Sequence, residues 1–320
     1  MPLVTLDAIR AAADRIGSIA RRTPVIDVSD LAGRPLFLKC EPQQPGGAFK
    51  IRGATNMLMR LSADARRRGV ITYSSGNHGQ AVALAASRLG APAVVVMPTT
   101  TPAIKINGVK RWGAEAILEG TTSADRLKRA QAEAASRGLT MVPPFDHEWI
   151  IEGQGTCGLE ILDQVPDVEV VAVPMGGGGL ISGVAAAIKL SGSRAKVVGV
   201  EPEGAAKITA SLAAGHPVTL DRTASIADGL MPVRPGDLTF EHIRAFVDEV
   251  VTVSDDQIAK AALWLFYEAK QVVEPSGAAT VAAVLAGQGK ILADRSKKIV
   301  AILSGGNVAP ETLAALGPGH

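Results

Sequence analysis

Residues 169–183 read EVVAVPMGGGGLISG, where an apolar β-branched run passes through four glycines into a helical pattern. Such a strand, turn and helix is the repeating unit of α/β proteins. The glycines, Gly176, Gly177, Gly178 and Gly179, lack Cβ atoms, so backbone N–H groups can converge on an anion where the helix begins. The stretch predicts a phosphate-binding turn, and a merely permissive tight turn is the alternative.

The same alternation of apolar runs and alanine-rich helical patterns extends along the whole chain. Between the apolar runs lie segments at helical spacing, such as GQAVALAASRLG and DDQIAKAALWLFYEAK. Strands are predicted at LFLKC (36–40), VITY (70–73), AVVVM (93–97), EAIL (115–118), EVVAV (169–173), KVVGV (196–200), EVVTV (249–253) and KIVAIL (298–303). The alternation predicts largely parallel sheets with helices on both faces and ligands at the carboxyl ends of strands.

Two glycine- and proline-rich stretches predict the domain organisation. They are EPQQPGGAFKIRG (41–53) and MVPPFDHEW (141–149). If both stretches connect the same two domains, residues 53–145 form a small inserted α/β domain, and residues 1–52 with 146–320 form a large one. A cleft would then lie between the two domains.

Composition excludes several classes of function. The 320 residues are 47% hydrophobic, and Lys and Arg (33) nearly balance Asp and Glu (31), for a net charge of +2. With aromatic residues at only 3%, neither a basic surface nor stacking platforms for nucleic acid are expected. No run approaches the ~18 uncharged apolar residues of a membrane span, so no membrane partner is expected.

The amino terminus and the cysteines predict a cytoplasmic protein. Residues 1–22 have the pattern of an amphipathic helix with acids and bases, not that of a signal peptide. Cys40 and Cys157 are far apart and form no CxxC motif, which is typical of a reducing compartment.

Two further polar turns follow predicted strands. In YSSGNHGQAVALAA (73–86), Ser75, Asn77 and His78 stand at a helix start, where hydroxyl, amide and N–H groups can bind a carboxylate or a phenolic oxygen. A helix cap made by Ser75 or Asn77 is the alternative. In AILSGGNVAPE (301–311), Ser304 ends the last strand, and this turn is equally compatible with a structural role.

The stretch GGAFKIRGA (46–54) places one lysine behind an aromatic residue and between glycines. We expect Phe49 and the glycines to keep the Lys50 amine close-packed, with its pKa lowered toward a nucleophilic form. A phosphate turn, a carboxylate-binding helix start and a sequestered lysine together indicate a pyridoxal phosphate site with Lys50 as the Schiff base. Without its flanking residues, Lys50 would be interpreted as an ordinary surface lysine, and this is the alternative.

The ordered set of motifs resembles the fold-type II pyridoxal phosphate enzymes, in the branch of serine/threonine dehydratases and serine racemases. The motifs are GGAFKIRGA, SSGNHGQA, MPTTTPAIK, PFDHEWIIEGQGT, VPMGGGGLISG, GVEPEGA, IADGL, EPSGAA and SGGN, and they run nearly end to end. The resemblance implies two open, twisted, largely parallel sheets flanked by helices, with the active site in the interdomain cleft. It also implies a homodimer.

The resemblance also implies how the cofactor is held. Lys50 would form the Schiff base, with Phe49 packed near the ring. Asn77 would hold the phenolic oxygen and Ser304 would face the pyridine nitrogen, while Gly176, Gly177, Gly178 and Gly179 would bind the phosphate. Because a neutral hydroxyl stabilises a protonated pyridine less than a carboxylate does, the ring should be a weaker electron sink, which favours rapid loss of a β-substituent.

The substrate would be a small amino acid whose carboxylate is received by Ser75, Asn77 and His78. Lys50 would remove the α-proton, and Ser75 would lie on the opposite face of the cofactor. The implied activity is dehydration and deamination of a β-hydroxy L-amino acid of the threonine or serine type to a 2-oxo acid and ammonia. Racemisation of serine, dehydration of phenylserine or 3-hydroxyaspartate, β-replacement and non-catalytic cofactor binding are the alternatives.

One position departs from the family pattern. Where members of the family bind a cation, they use an acid, a carbonyl four residues on and a second acid two further, and here these positions are Glu201, Ala205 and Lys207. A lysine in place of the second acid should repel a divalent cation, and its ammonium would take that charge's place beside Glu201. We therefore expect no metal.

Overall fold

The computed structural model describes residues 2–74 and 76–317. Within them, ten strands alternate with helices and three short 3₁₀ turns, Glu41–Gln43, Glu203–Ala205 and Asp228–Leu230. The strands are β1 (Val25–Asp27), β2 (Leu36–Cys40), β3 (Val70–Thr72), β4 (Ala93–Met97), β5 (Glu115–Leu118), β6 (Thr140–Met141), β7 (Val170–Pro174), β8 (Lys196–Pro202), β9 (Glu249–Val253) and β10 (Ile299–Leu303). The helices are α1 (Leu6–Ile16), α2 (Ser29–Ala32), α3 (Lys50–Arg60), α4 (Ala63–Arg68), α5 (Asn77–Arg88), α6 (Ala103–Lys110), α7 (Ser123–Arg137), α8 (Glu148–Gln164), α9 (Gly179–Leu190), α10 (Lys207–Ala214), α11 (Asp237–Phe246), α12 (Asp255–Tyr267), α13 (Pro275–Ala286), α14 (Gly289–Ala293) and α15 (Pro310–Ala315).

The larger sheet has six strands in the order β1-β2-β10-β7-β8-β9. Strand β1 is antiparallel to β2, and the other neighbours are parallel. Strands β7 and β10 are buried along their whole length, as expected where helices cover both faces of a parallel sheet. The predicted α/β fold class is confirmed.

The smaller sheet has four parallel strands in the order β5-β4-β3-β6 and comes from the middle of the chain. Its strands lie between residues 70 and 141, inside the segment predicted to be an inserted domain. Helix α3 runs without a break across the predicted boundary between residues 52 and 53. The domain boundaries themselves stay a prediction.

Glycines let the two long helices α8 and α9 pack closely behind the tetraglycine turn. A Cβ at Gly155 would lie 3.0 Å from the carbonyl oxygen of Gly183, and one at Gly158 would lie 2.9 Å from that of Val184. Both distances are too short for a side chain, so the helix backbones meet directly. This contact fixes the direction in which α9 leaves the glycine turn.

The described helices include none that is both long enough and apolar enough to cross a membrane.

Candidate active site

Three of the predicted site segments follow strands of the two sheets. The tetraglycine turn follows β7, Ser304 follows β10, and the segment leading to Asn77 follows β3. The carboxyl ends of parallel strands are where α/β proteins bind ligands. Lys50 joins them because Ala48 forms an antiparallel bridge with Gly305.

Lys50 is the first residue of α3, and its side chain is half-buried. Its Nζ donates a 2.6 Å hydrogen bond to the Pro144 carbonyl and lies 5.2 Å from the centroid of the Phe49 ring. Phe49 is fixed in turn because its backbone N–H donates to the Ser304 carbonyl at 3.0 Å. Burial lowers the pKa of the Lys50 amine to about 8, toward the nucleophilic form predicted from the sequence.

The residues after Lys50 anchor the start of α3. Arg52 is buried and pairs with Glu41 at 2.8 Å and with Glu160 at 2.7 Å. A Cβ at Gly53 would lie 2.9 Å from the Ile150 carbonyl, so only glycine allows α3 to approach α8 this closely. The sequence KIRG therefore combines one available amine with two residues that hold its helix in place.

Asn77 begins α5, and its amide is held by two partners. Its Nδ2 donates to Glu274 Oε1 at 2.7 Å, and its Oδ1 accepts from Asn307 Nδ2 at 2.8 Å. The second N–H of the amide makes no hydrogen bond with a described residue. Asn77 therefore keeps one donor for a ligand oxygen, as its predicted role requires.

Glu274 is a residue of the site to which the sequence analysis assigned no role. It precedes α13, is 6% exposed, and lies close to Gly305 as well as to Asn77. Burial, with the charge of Asp228, raises the pKa of its carboxyl to about 8, so it carries a proton at neutral pH. The motif EPSGAA was the available signal, but an acid before a proline at a helix start is also typical of ordinary helix ends.

His78 lies in the first turn of α5 with its ring turned into the protein. Its Nε2 is 3.1 Å from the Val142 carbonyl, two residues before the carbonyl that accepts from Lys50. Burial and the Lys50 charge lower the pKa of His78 to about 3, so the ring is neutral and donates to Val142. Its backbone N–H is at the positive end of the α5 dipole, where a carboxylate is stabilised.

Ser75, predicted to bind the substrate carboxylate and to act opposite Lys50, lies outside the described residues.

The tetraglycine turn packs so closely against neighbouring residues that a Cβ atom would clash at several of its positions. A Cβ at Gly177 would overlap the Phe145 ring, one at Gly178 would lie 2.8 Å from Thr239 Oγ1, and one at Gly176 would lie 2.9 Å from the Gly229 carbonyl. Gly178 also has a φ of +99°, a conformation that favours glycine. Each of these three glycines is therefore required by close packing or by backbone conformation.

The hydrogen bonds of this turn leave its N–H groups available. Thr239 Oγ1 donates to the Gly177 carbonyl at 2.7 Å, while the N–H groups of Gly176, Gly177 and Gly178 donate to no described residue. Gly179 is the first residue of α9, whose first N–H groups have no partner within the helix. Free N–H groups at a helix start suit the phosphate of pyridoxal phosphate.

Ser304 is 3% exposed, and its hydroxyl makes no hydrogen bond with a described residue. A hydroxyl that has no partner among the described residues is available to a ring nitrogen. Together with the free turn N–H groups and the Asn77 donor, it provides separate contacts for the pyridine nitrogen, the phosphate and the phenolic oxygen. The residues present therefore fit pyridoxal phosphate.

Among the described residues there is no cluster of three or more His, Cys, Asp or Glu side chains that could hold a metal ion.

Comparisons with known proteins lead to the same group of enzymes. An L-threonine ammonia-lyase of Thermotoga maritima is 43% identical over 96% of this chain and 76% of its own length. A serine racemase of Oryza sativa subsp. indica is 42% identical over 95% of this chain and 91% of its own length. The solved structure of maize serine racemase matches with a TM-score of 0.93 and 41% identity, covering 98% of this chain and 97% of that one.

The family model described as "Pyridoxal-phosphate dependent enzyme" matches residues 16–305, from the end of α1 to the turn after β10. Lys50, Asn77, the tetraglycine turn, Glu274 and Ser304 all lie within this range. The resemblance inferred from the motifs is therefore confirmed, and the chain belongs to the family of pyridoxal-phosphate-dependent enzymes, in the fold-type II branch of threonine ammonia-lyases and serine racemases.

Proposed function

We propose that the protein is an ammonia-lyase that converts a β-hydroxy L-amino acid, threonine or serine, into a 2-oxo acid and ammonia. The observation that carries the proposal is the Lys50 amine, which is half-buried beside Phe49 and donates a hydrogen bond to the Pro144 carbonyl. The similarity of the chain to threonine ammonia-lyases over most of its length supports the same reaction.

Lys50 has two roles in this proposal. It would hold the cofactor covalently through Nζ and, once displaced by the substrate amine, take the α-proton at the same atom. With a pKa of about 8, about a tenth of the free amine is neutral at pH 7, against roughly one part in three thousand for an ordinary lysine. Burial therefore supplies the base.

The cofactor would be held by the contacts described above. The tetraglycine turn would bind its phosphate, Asn77 its phenolic oxygen and Ser304 its pyridine nitrogen, with Phe49 beside the ring. When bound, pyridoxal phosphate supplies the electron sink for the electrons left at Cα. Because the Ser304 hydroxyl is neutral, prompt loss of the β-hydroxyl is favoured over transamination.

The start of α5 would bind the substrate carboxylate. The helix dipole and the N–H groups of Asn77 and His78 favour an anion there, and Ser75 would add a hydroxyl. Loss of the α-proton and of the β-hydroxyl as water leaves an enamine, which tautomerises and takes up one water to give the 2-oxo acid and ammonia.

Incubating the purified, cofactor-loaded enzyme with single amino acids tests the activity. L-threonine, L-serine, phenylserine and 3-hydroxyaspartate should be compared, with ammonia and 2-oxo acid measured and no second nucleophile added. Equal amounts of both products from threonine or serine support the proposal. A loaded enzyme that releases neither product from any of the four substrates would refute it.

Serine racemisation is the second candidate, because serine racemases match the chain almost as well as threonine ammonia-lyases. Both reactions begin with removal of the α-proton, and racemisation also needs an acid on the opposite face, the role proposed for Ser75. Chiral analysis of the remaining serine separates the two. Accumulation of D-serine faster than 2-oxo acid identifies a racemase.

Further features belong to the same proposal. We infer a cytoplasmic homodimer whose partners are small-molecule amino acids, without nucleic-acid or membrane partners. The near-balance of charges supports the absence of nucleic-acid partners, and the two buried, unpaired cysteines support a reducing compartment. The homodimer rests on the resemblance to the family alone. We also propose the domain boundaries given above, with residues 53–145 as the inserted domain, because all four strands of the smaller sheet fall within them.

A further inference from the structure

Lys207 is a fully buried lysine that the proposed reaction does not use. It begins α10 and has no exposed surface. Its Nζ donates to the carbonyls of Met175 at 3.0 Å, Ala205 at 2.9 Å and Leu230 at 2.9 Å. Three donated hydrogen bonds require the three hydrogens of an ammonium group, so the residue is a buried cation.

The charge of this ammonium is balanced by Glu201. The Glu201 carboxylate is also fully buried, and its Oε2 lies 3.6 Å from Lys207 Nζ. The same carboxylate accepts from the N–H groups of Ile208 at 3.0 Å and Thr209 at 2.8 Å. Glu201 therefore caps α10, and the three carbonyls are the direct contacts of the ammonium.

The three carbonyls belong to three different segments of the chain. Met175 immediately precedes the tetraglycine turn, Ala205 lies between β8 and α10, and Leu230 ends the Asp228–Leu230 turn. The Asp228–Leu230 turn also packs on Gly176, the first glycine of the tetraglycine turn, because a Cβ at Gly176 would lie 2.9 Å from the Gly229 carbonyl. The ammonium thus joins the glycine turn to the two segments behind it.

We propose that Lys207 is a positioning residue for the cofactor phosphate, an internal cation that holds the tetraglycine turn in its anion-binding conformation. Without the ammonium, three buried carbonyls lose their donor and must move or admit water. Because the Met175 carbonyl is adjacent to Gly176, that movement redirects the turn's free N–H groups. Contacts to the pyridine ring and to Lys50 lie elsewhere and are not affected directly.

The test compares binding of pyridoxal phosphate and of pyridoxal, which lacks the phosphate, to cofactor-free protein. Lys207→Met keeps an unbranched side chain that is one atom shorter and removes its charge. We expect the dissociation constant for pyridoxal phosphate to rise at least about tenfold, as lost hydrogen bonds to a buried charge imply, with that for pyridoxal nearly unchanged. Absorbance titration measures both constants.

Two further variants keep the test decisive. Lys207→Met combined with Glu201→Gln removes both buried charges and serves if the single variant does not fold, with the same selective loss expected. Lys260→Met makes the same replacement at a lysine whose side chain is 75% exposed, and it should leave both constants unchanged. Normal affinity for pyridoxal phosphate in either folded Lys207 variant, or equal loss for both ligands, overturns the proposal.

Discussion

Lys50 and Lys207 are both lysines at the first position of a helix, yet the structure gives their amines different surroundings. Burial lowers the pKa of each to about 8. Among the described residues, Lys50 Nζ makes one hydrogen bond, to the Pro144 carbonyl, whereas Lys207 Nζ makes three and has Glu201 nearby. The comparison shows that burial alone does not make a lysine reactive, because the amine must also be able to leave its partners.

The largest expected effect is that of Lys50→Ala. It removes the group proposed to hold the cofactor and to take the α-proton, so turnover should fall by at least about a thousandfold. The absorbance of the bound cofactor should be lost as well. Thermal unfolding should change little, because the Lys50 side chain makes a single hydrogen bond within the part of the chain that the structure describes. Ammonia release at more than a few per cent of the normal rate would show that another amine holds the cofactor and takes the α-proton.

The tetraglycine turn should respond strongly to one methyl group. In Gly177→Ala the new Cβ overlaps the Phe145 ring, so the turn must shift and cofactor affinity should fall about tenfold or more. Gly17→Ala is the matched control, because its Cβ would meet only atoms 3.8 Å away. Unchanged cofactor binding by Gly177→Ala would mean that the turn is not held as described.

The pH dependence of cofactor binding tests the Lys50 side of this comparison, the availability of its neutral amine. Only the neutral amine attacks an aldehyde, so the association rate with cofactor-free protein should rise about tenfold from pH 7 to pH 9 and approach a plateau, given a pKa of about 8. Stopped-flow absorbance measures this rate. A rise of about a hundredfold without a plateau would instead indicate an ordinary lysine pKa.

Glu274 provides a smaller and more selective test. Since its pKa is raised to about 8, Glu274→Gln replaces one neutral acceptor by another and should change cofactor affinity by less than about threefold. Glu274→Ala removes the acceptor for Asn77 and should cost more, roughly fivefold to tenfold. Equal losses in both variants would show that Glu274 acts as an ionised carboxylate.

The smallest expected effect concerns added metal. The carbonyls of Met175, Ala205 and Leu230 already accept from Lys207, so Mg²⁺ or a chelator should not change the rate of the purified enzyme. Steady-state assays with each addition measure this. A large, reversible change in rate would place a cation at Glu201 or elsewhere in the site.

The sequence was most informative about local features of the fold. Apolar runs predicted eight of the strands, several with the observed limits, such as β2, β4, β5 and β9. It did not predict β1 and β6, which have three and two residues and too little periodic pattern to be recognised. Their pairing is determined by neighbouring strands and not by their own composition.

Much of the candidate site could be predicted because its turns carry short, unusual patterns of glycine and polar residues. What the sequence could not supply is the set of partners that come from far along the chain. Asn77 meets Glu274 and Asn307, and Gly177 meets Phe145, through contacts that only the folded chain creates. Lys207 could be identified as unusual by comparison with a family pattern, but its three carbonyls could not.

The most direct test of the proposed role of Lys50 identifies the lysine that carries the cofactor. The loaded enzyme is reduced with borohydride and digested, and the peptides are examined by mass spectrometry. We expect the reduced cofactor to be attached to the peptide containing Lys50 and to be absent from the peptide containing Lys207. Attachment to Lys207 or another lysine, with Lys50 unmodified, would contradict the proposed role of Lys50.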